Sequence, residues 1–260
     1  MKHMLSSALV AGFVAGLLCA LLQFLLVQPE IVLAERYEAG ELLHFQGLAN
    51  PQDAAAAADH SAHGADGHTA VVPAEEITHA HSEEATHEHG AGAGSGKNRQ
   101  ALTVLFAVLT YCGYGLALVA GMNLADQLGI KLGLAQGILW GLAGFMAFQM
   151  MPALGLQPDL PGTPAADFSA RQVWWLATAA ATVAGLWFAA YGGGVWQRAA
   201  GVVLLAAPHV WGAPEATGFG GVVPPELASA FAARSLAVGM ITWAVLGGLA
   251  VTLWRSEPAS

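Results

Sequence analysis

The residues with the most evident chemistry lie between Asp59 and Gly90, in the stretch DHSAHGADGHTAVVPAEEITHAHSEEATHEHG. Seven of the chain's ten histidines stand there: His60, His63, His68, His79, His81, His87 and His89. Seven carboxylates are interspersed among them. Neutral imidazole is a good ligand for zinc, nickel, copper and cobalt. In His79-Ala80-His81 and His87-Glu88-His89, two imidazoles fall on one side of an extended chain. The spacing is not that of a structural zinc site, so ligation would be fluxional and the metal's identity is not encoded. A soluble linker that binds nothing is the competing reading.

Further donors flank this stretch. In PEIVLAERYEAGELLHFQG, residues 29–47, Pro29 suits the first turn of a helix. Glu35, Glu38, Glu41 and His44 then step by three, so successive members are neighbours on a helix surface and could hold a divalent ion. A solvated face of a juxtamembrane helix has the same pattern. His209 lies between Pro208 and the turn Gly212-Ala213-Pro214-Glu215. A freed carbonyl, the imidazole and the Glu215 carboxylate could converge there. An interfacial histidine bonded to backbone is equally consistent with the pattern. Gln23, Gln28, Glu30 and Gln149 stand at or near span ends. They would line one external vestibule if the first and third spans packed through their glycines. Met150 and Met151 offer thioether sulfurs to a soft metal, although filling a core is methionine's commoner use.

The elements that must position these groups are membrane helices. Only 10% of residues are charged against roughly 25% in soluble domains, and the mean hydropathy is +0.53. Uncharged runs approach the roughly 20 residues that cross a bilayer. The expected fold is all-α, a polytopic bundle of five to six transmembrane segments interrupted by a disordered loop. Residues 1–28 form the first span, with small residues at Ala8, Gly12, Gly16 and Ala20 that let another backbone approach. Its apolar run is about twice the length of a signal-peptide core. Residues 29–100 form the juxtamembrane helix and the histidine- and acid-rich loop, whose composition cannot bury a core. Residues 101–260 hold the remaining bundle, with spans near 101–124, 132–151, 173–191 and 227–253. Small-residue ridges recur there, Gly113, Ala117 and Gly121 in one span and Gly133, Gly137 and Gly141 in the next. Such ridges suit packing within the chain and homo-oligomer contacts equally. Segment 195–211 either spans or is re-entrant, and a broken segment must line protein or a cavity.

If six segments cross, Lys2, Lys131, Arg198 and Arg255 share one side. The positive-inside rule then makes both termini cytoplasmic and the histidine-rich loop periplasmic or extracellular. Cys19 and Cys112 fall mid-span and are expected to be packing residues. Nothing is basic enough for nucleic acid. The chain has no GxxxxGK[ST] loop and no HExxH helix, so neither direct ATP use nor zinc-protease chemistry is indicated, and no enzyme activity is expected. No resident cofactor is expected beyond a divalent ion as the handled species. The partner common to every reading is the lipid bilayer.

Taken in order, QPEIVLAERYE after the first span, the histidine loop, PDLPGTPAADFSARQVWW and APHVWGAPE resemble the CbtA-type cobalt transporter subunits of bacteria. The resemblance covers nearly the whole chain. It implies a cytoplasmic-membrane cobalt transporter of about five transmembrane segments, associated with cobalamin synthesis. It also implies a small, single-span, histidine-bearing CbtB partner. A non-transporting metal receptor or assembly factor is the alternative, and a membrane oxidoreductase a more remote one.

Overall fold

The computed structural model describes residues 2–42, 95–216, 218 and 221–255. His44, His60, His63, His68, His79, His81, His87 and His89 lie outside the described residues. Every regular element among the described residues is helical. Helix α1 (Lys2–Leu22) runs through a π-helical turn, Gln23–Val27, into α2 (Gln28–Glu38). Helix α3 (Ser95–Gln127) follows. Helix α4 (Leu134–Phe145) then passes through a second π-turn, Met146–Met150, into the short α5 (Met151–Ala153). Helices α6 (Phe168–Tyr191), α7 (Val195–Trp211) and α8 (Pro225–Arg255) complete the bundle. Among the described residues, five helical rods are long and apolar enough to cross a membrane: Met4–Glu38, Asn98–Gln127, Leu134–Ala153, Phe168–Tyr191 and Pro225–Arg255. Outward-facing Phe13, Phe106, Leu139 and Leu176 are each at least half exposed. That surface suits lipid and would be a liability in water.

The two π-turns share a cause. Each begins six residues before a proline, Gln23 before Pro29 and Met146 before Pro152. Proline has no N–H, and its ring collides with the carbonyl four residues back. Widening the preceding turn to i→i+5 bonds, Gln28 N–H to Gln23 O and Met151 N–H to Met146 O, absorbs that conflict. The rod therefore continues where the sequence suggests a break at Gln28-Pro29. It stops sooner than expected at the other end. The Glu41 N–H bonds Arg36 O at 2.9 Å and the Gly40 N–H bonds Tyr37 O at 3.1 Å, with Gly40 at φ +74°. This is a Schellman stop, which glycine allows without steric cost. The helix expected to carry Glu41 and His44 ends at Glu38.

Glycine sets the closest approaches. Ala8, Gly12, Gly16 and Ala20 are all buried, as expected. Their partner is α3: a Cβ on Gly12 or Gly16 would fall 2.5 Å from the Cα of Cys112 or Val108. The answering glycine is Gly115, whose added Cβ would lie 2.6 Å from Ala8 O, whereas Gly113 has open space around it. The α3 ridge is thus displaced by two residues from the expected one. On α4, Gly137 and Gly141 pack against Gly247 and the Trp243 carbonyl of α8. The glycine ridges of the first and third spans therefore meet α3 and α8 and do not meet each other.

Segment 195–211 forms a single helix, α7. It is continuous through Pro208 and antiparallel to α6: Gly185 and Gly201 touch at one level, and Trp174 Nε1 donates to Pro208 O at another. Its 17 residues measure about 26 Å, near the hydrocarbon thickness of roughly 30 Å. The chain thereby returns to the end where α6 began, so that α8 starts beside α2 and finishes beside Leu132, whose carbonyl accepts from Arg255. Among the described residues the bundle thus has five rods of bilayer length and a shorter helix, α7, laid back along α6.

Candidate functional site

The end of the bundle that carries α2 also carries the 154–167 connection and the turn after α7. A Cβ on Gly162 would approach Glu38, and one on Gly155 would approach Trp174 and Ala213. A cleft of about 750 Å³ opens there. Gln23 from the first π-turn and Gln149 from the second both line it, with Gln157, Asp159, Arg171 and Ser235. Asp159 and Arg171 form an ion pair at 2.5 Å. Two proline-interrupted helices thus each present a glutamine to the same cleft. Single π-turns inside α-helices recur at functional sites, and discontinuous helices build the binding sites of many transporters.

Gln149 is the floor of the cleft. Its carboxamide presses on Gly239 of α8, where any Cβ would overlap it, and its Oε1 is buried without a hydrogen-bond partner. Behind it stands the Tyr111 hydroxyl, also buried and unpartnered, with Cys19 and Thr242 as its other polar neighbours. Tyr111 is 3% exposed, Cys19 4% and Thr242 0%. An aromatic wall encloses them. Trp243 stacks on Phe148 at 5.8 Å and meets Tyr114 at 4.6 Å.

The expected site residues separate into those that converge and those that do not. Gln149 and Gln23 share the cleft. Glu30 is 5% exposed, with Oε1 paired to Arg234 of α8 at 2.9 Å and Oε2 unpartnered. Arg234 also donates to Leu26 O, a carbonyl of the first π-turn. Gln28 is half-buried and supplies the N–H that closes that turn. Met150 packs against the core, and Met151 begins α5. The glutamate stripe does not assemble. Glu35 is held by Arg99, Glu41 pairs with Arg36 at 3.1 Å beyond the helix stop, and Glu38 lies near Gly162. His209 places its ring edge-on to Trp174 at 6.0 Å, with Nε2 buried and unpartnered. The Pro208 carbonyl is occupied by Gly212 N–H at 3.1 Å and Trp174 Nε1 at 3.4 Å, while Glu215 is exposed. Among the described residues, no group of three or more His, Cys, Asp or Glu side chains is placed to hold a metal.

Sequence reasoning missed Arg234, Tyr111 and Thr242, and assigned Cys19 to packing. Arg234 was legible as the one cation inside the last apolar run, since a charge at membrane depth is a functional candidate by default. The repeated spacing of a π-turn to a proline was legible only once both helices were known to continue through it.

No curated protein and no solved structure matches the chain detectably. The family model described as "Probable cobalt transporter subunit (CbtA)" matches residues 1–255, nearly the full length, and the chain accordingly belongs to the CbtA family of multi-pass membrane proteins.

Proposed function

We propose that the protein moves cobalt, or a similar divalent transition metal, across the bacterial cytoplasmic membrane through the interrupted-helix cleft. The observation that carries this reading is the cleft floor: Gln149, in the second π-turn, holds a buried, unpartnered carboxamide oxygen in a cleft that the first π-turn also lines. An unsatisfied buried acceptor costs free energy unless a ligand meets it, and carbonyl oxygens are ready partners for a cation shedding water.

In this reading Lys2, Lys131, Arg198 and Arg255 lie on the cytoplasmic side by the positive-inside rule. The cleft, α2 and the histidine-rich loop then face outward. His60 to His89 raise the local metal concentration, and Glu30, Gln23 and Gln149 receive the ion as it loses water. His209 and Glu215 stand at the rim of the same end. A small single-span, histidine-bearing CbtB-type subunit completes the transporter, and metal supplied this way would serve cobalamin synthesis.

The test is uptake of labelled cobalt by proteoliposomes holding the purified chain, with and without the small partner and with gradients imposed one at a time. Uptake should require an intact cleft, and Gln149→Leu should reduce it about tenfold or more, the scale of one lost bond to a charged ligand. Metal binding with no uptake under any gradient, partner present, would replace this reading with that of a membrane metal receptor. Unchanged uptake in His209→Ala would remove His209 from the path.

A further inference from the structure

The Tyr111 hydroxyl sits where four elements meet: α1 brings Cys19, α3 brings Tyr111, the second π-turn brings Gln149 and α8 brings Thr242. Helical side chains lean toward their own N-terminus. On α3, antiparallel to α1, that lean carries the Tyr111 ring from the level of Gly12 toward Cys19. Two of the four groups have unpartnered oxygens, Tyr111 OH and Gln149 Oε1. Thr242 has already given its proton to Val238 O at 2.8 Å, so it offers only lone pairs. The set therefore holds a thiol sulfur and three oxygens. It lacks the arginine, lysine or run of backbone N–H groups that an anion would need. Burying a hydroxyl and a carboxamide oxygen without a partner is unfavourable in apolar surroundings. A cation resolves the deficit.

Deepening the transport reading and resting on it, we infer that Cys19, Tyr111, Gln149 and Thr242 form a mid-bundle site for a dehydrated, thiophilic divalent transition metal, entered from the cleft past Gln149. Gln149 belongs to both regions, lining the cleft and neighbouring Tyr111. On binding, the Cys19 S–H bond breaks and a sulfur–metal bond forms. One proton leaves for the water of the cleft, so a divalent ion enters with net charge reduced by one. Thiolate ligation favours transition metals over magnesium and calcium, which prefer all-oxygen shells. The site thus supplies the selectivity that the amide-lined cleft lacks.

The experiment adds cobalt(II) chloride to the purified full-length chain in detergent and follows near-ultraviolet sulfur-to-cobalt charge-transfer absorption and proton release. Uptake is measured on the same preparation after reconstitution. The wild type and Cys112→Ser, whose lost thiol is the one that bonds Leu9 O, are expected to show the absorption with one proton released per cobalt. Cys19→Ser should lose the absorption. Tyr111→Phe, which keeps the ring and its packing, should keep the absorption but require about tenfold more cobalt to saturate it. Absorption that persists in Cys19→Ser overturns the site, as does wild-type uptake without any absorption, which leaves transport standing. Absorption lost in Cys19→Ser, with no uptake by the wild type, keeps the site and refutes the transport reading.

Discussion

Gly12→Ala adds one methyl group where α1 meets α3. The new Cβ would sit 2.5 Å from Cys112 Cα, 2.6 Å from Tyr111 O and 2.8 Å from Cys112 N. Carbon contacts settle at about 3.5–4.0 Å, so the two helices must part by about 1 Å. All three neighbours are backbone atoms, and no side chain can swing aside. Helix α1 is also packed along α8, which limits retreat. A gap of that size forfeits about a quarter to a half of each dispersion contact along the seam, and overpacking of this kind costs about 1–3 kcal/mol. Alanine returns up to about 1 kcal/mol of helix propensity, which would blur a comparison with wild type. Gly113→Ala removes the blur. It carries the same propensity gain and meets nothing within 4 Å, so the two alanine variants should differ by the full 1–3 kcal/mol, about. Thermal unfolding in one detergent should place Gly12→Ala below Gly113→Ala by about 2–4 °C for each kcal/mol. Equal midpoints, or the reverse order, would refute the α1–α3 seam. Because Tyr111 is one of the displaced neighbours, Gly12→Ala should also raise the cobalt needed to saturate charge-transfer absorption, and Gly113→Ala should not.

Three other perturbations follow from the ion pair, the loop and a helix cap. Arg234→Gln leaves the Glu30 carboxylate buried with neither oxygen paired. It should destabilise by about 1–3 kcal/mol, below the range for fully buried pairs because Arg234 is half exposed. The double variant Glu30→Gln/Arg234→Gln should recover most of that loss in the same melt, and a double variant no better than the single would discard the pair as a structural unit. Deleting residues 59–90 should raise the cobalt concentration for half-maximal uptake while sparing the maximal rate. Lowering the pH below about 6.5 should mimic the deletion in the wild type, because protonated imidazoles cannot ligate; complete loss of uptake on deletion would end the capture role. Asp167 caps α6, accepting from Ala170 N–H at 3.0 Å and from the Ser169 hydroxyl at 2.5 Å. The Ser169 hydroxyl first, then the Ala170 amide, hold its carboxyl below the usual range. The cap's contribution is therefore present above the unfolded carboxyl pKa and lost as pH falls through the lower folded one. Hydrogen exchange at Ala170 should accelerate in Asp167→Ala at neutral pH, and in the wild type only in strong acid.

The sequence by itself determined the kind of protein. Uncharged runs of bilayer length can only be helices, because every backbone polar group must be satisfied internally. The residues QPEIVLAERYE and APHVWGAPE carried the family resemblance, and the family match over residues 1–255 bears it out. Burial of Ala8, Gly12, Gly16 and Ala20 was legible too, since a four-residue spacing defines one helix face. What that face meets was not legible: Gly115 and Gly113 are equally small, and only the crossing of α1 with α3 distinguishes them. The packing of α7 along α6 was likewise decided by a tertiary contact, Gly185 on Gly201, that no property of residues 195–211 alone encodes. The central polar groups are the clearest case. Cys19, Tyr111, Gln149 and Thr242 are far apart in sequence: Cys19 reads as packing, Gln149 as a polar group at a span end, and Tyr111 and Thr242 do not stand out from their apolar runs. Their common position exists only after α1, α3, the second π-turn and α8 are brought together. Groups that converge from distant helices therefore belong to the tertiary structure, while groups dense along the chain, as in His60 to His89, are written in the sequence.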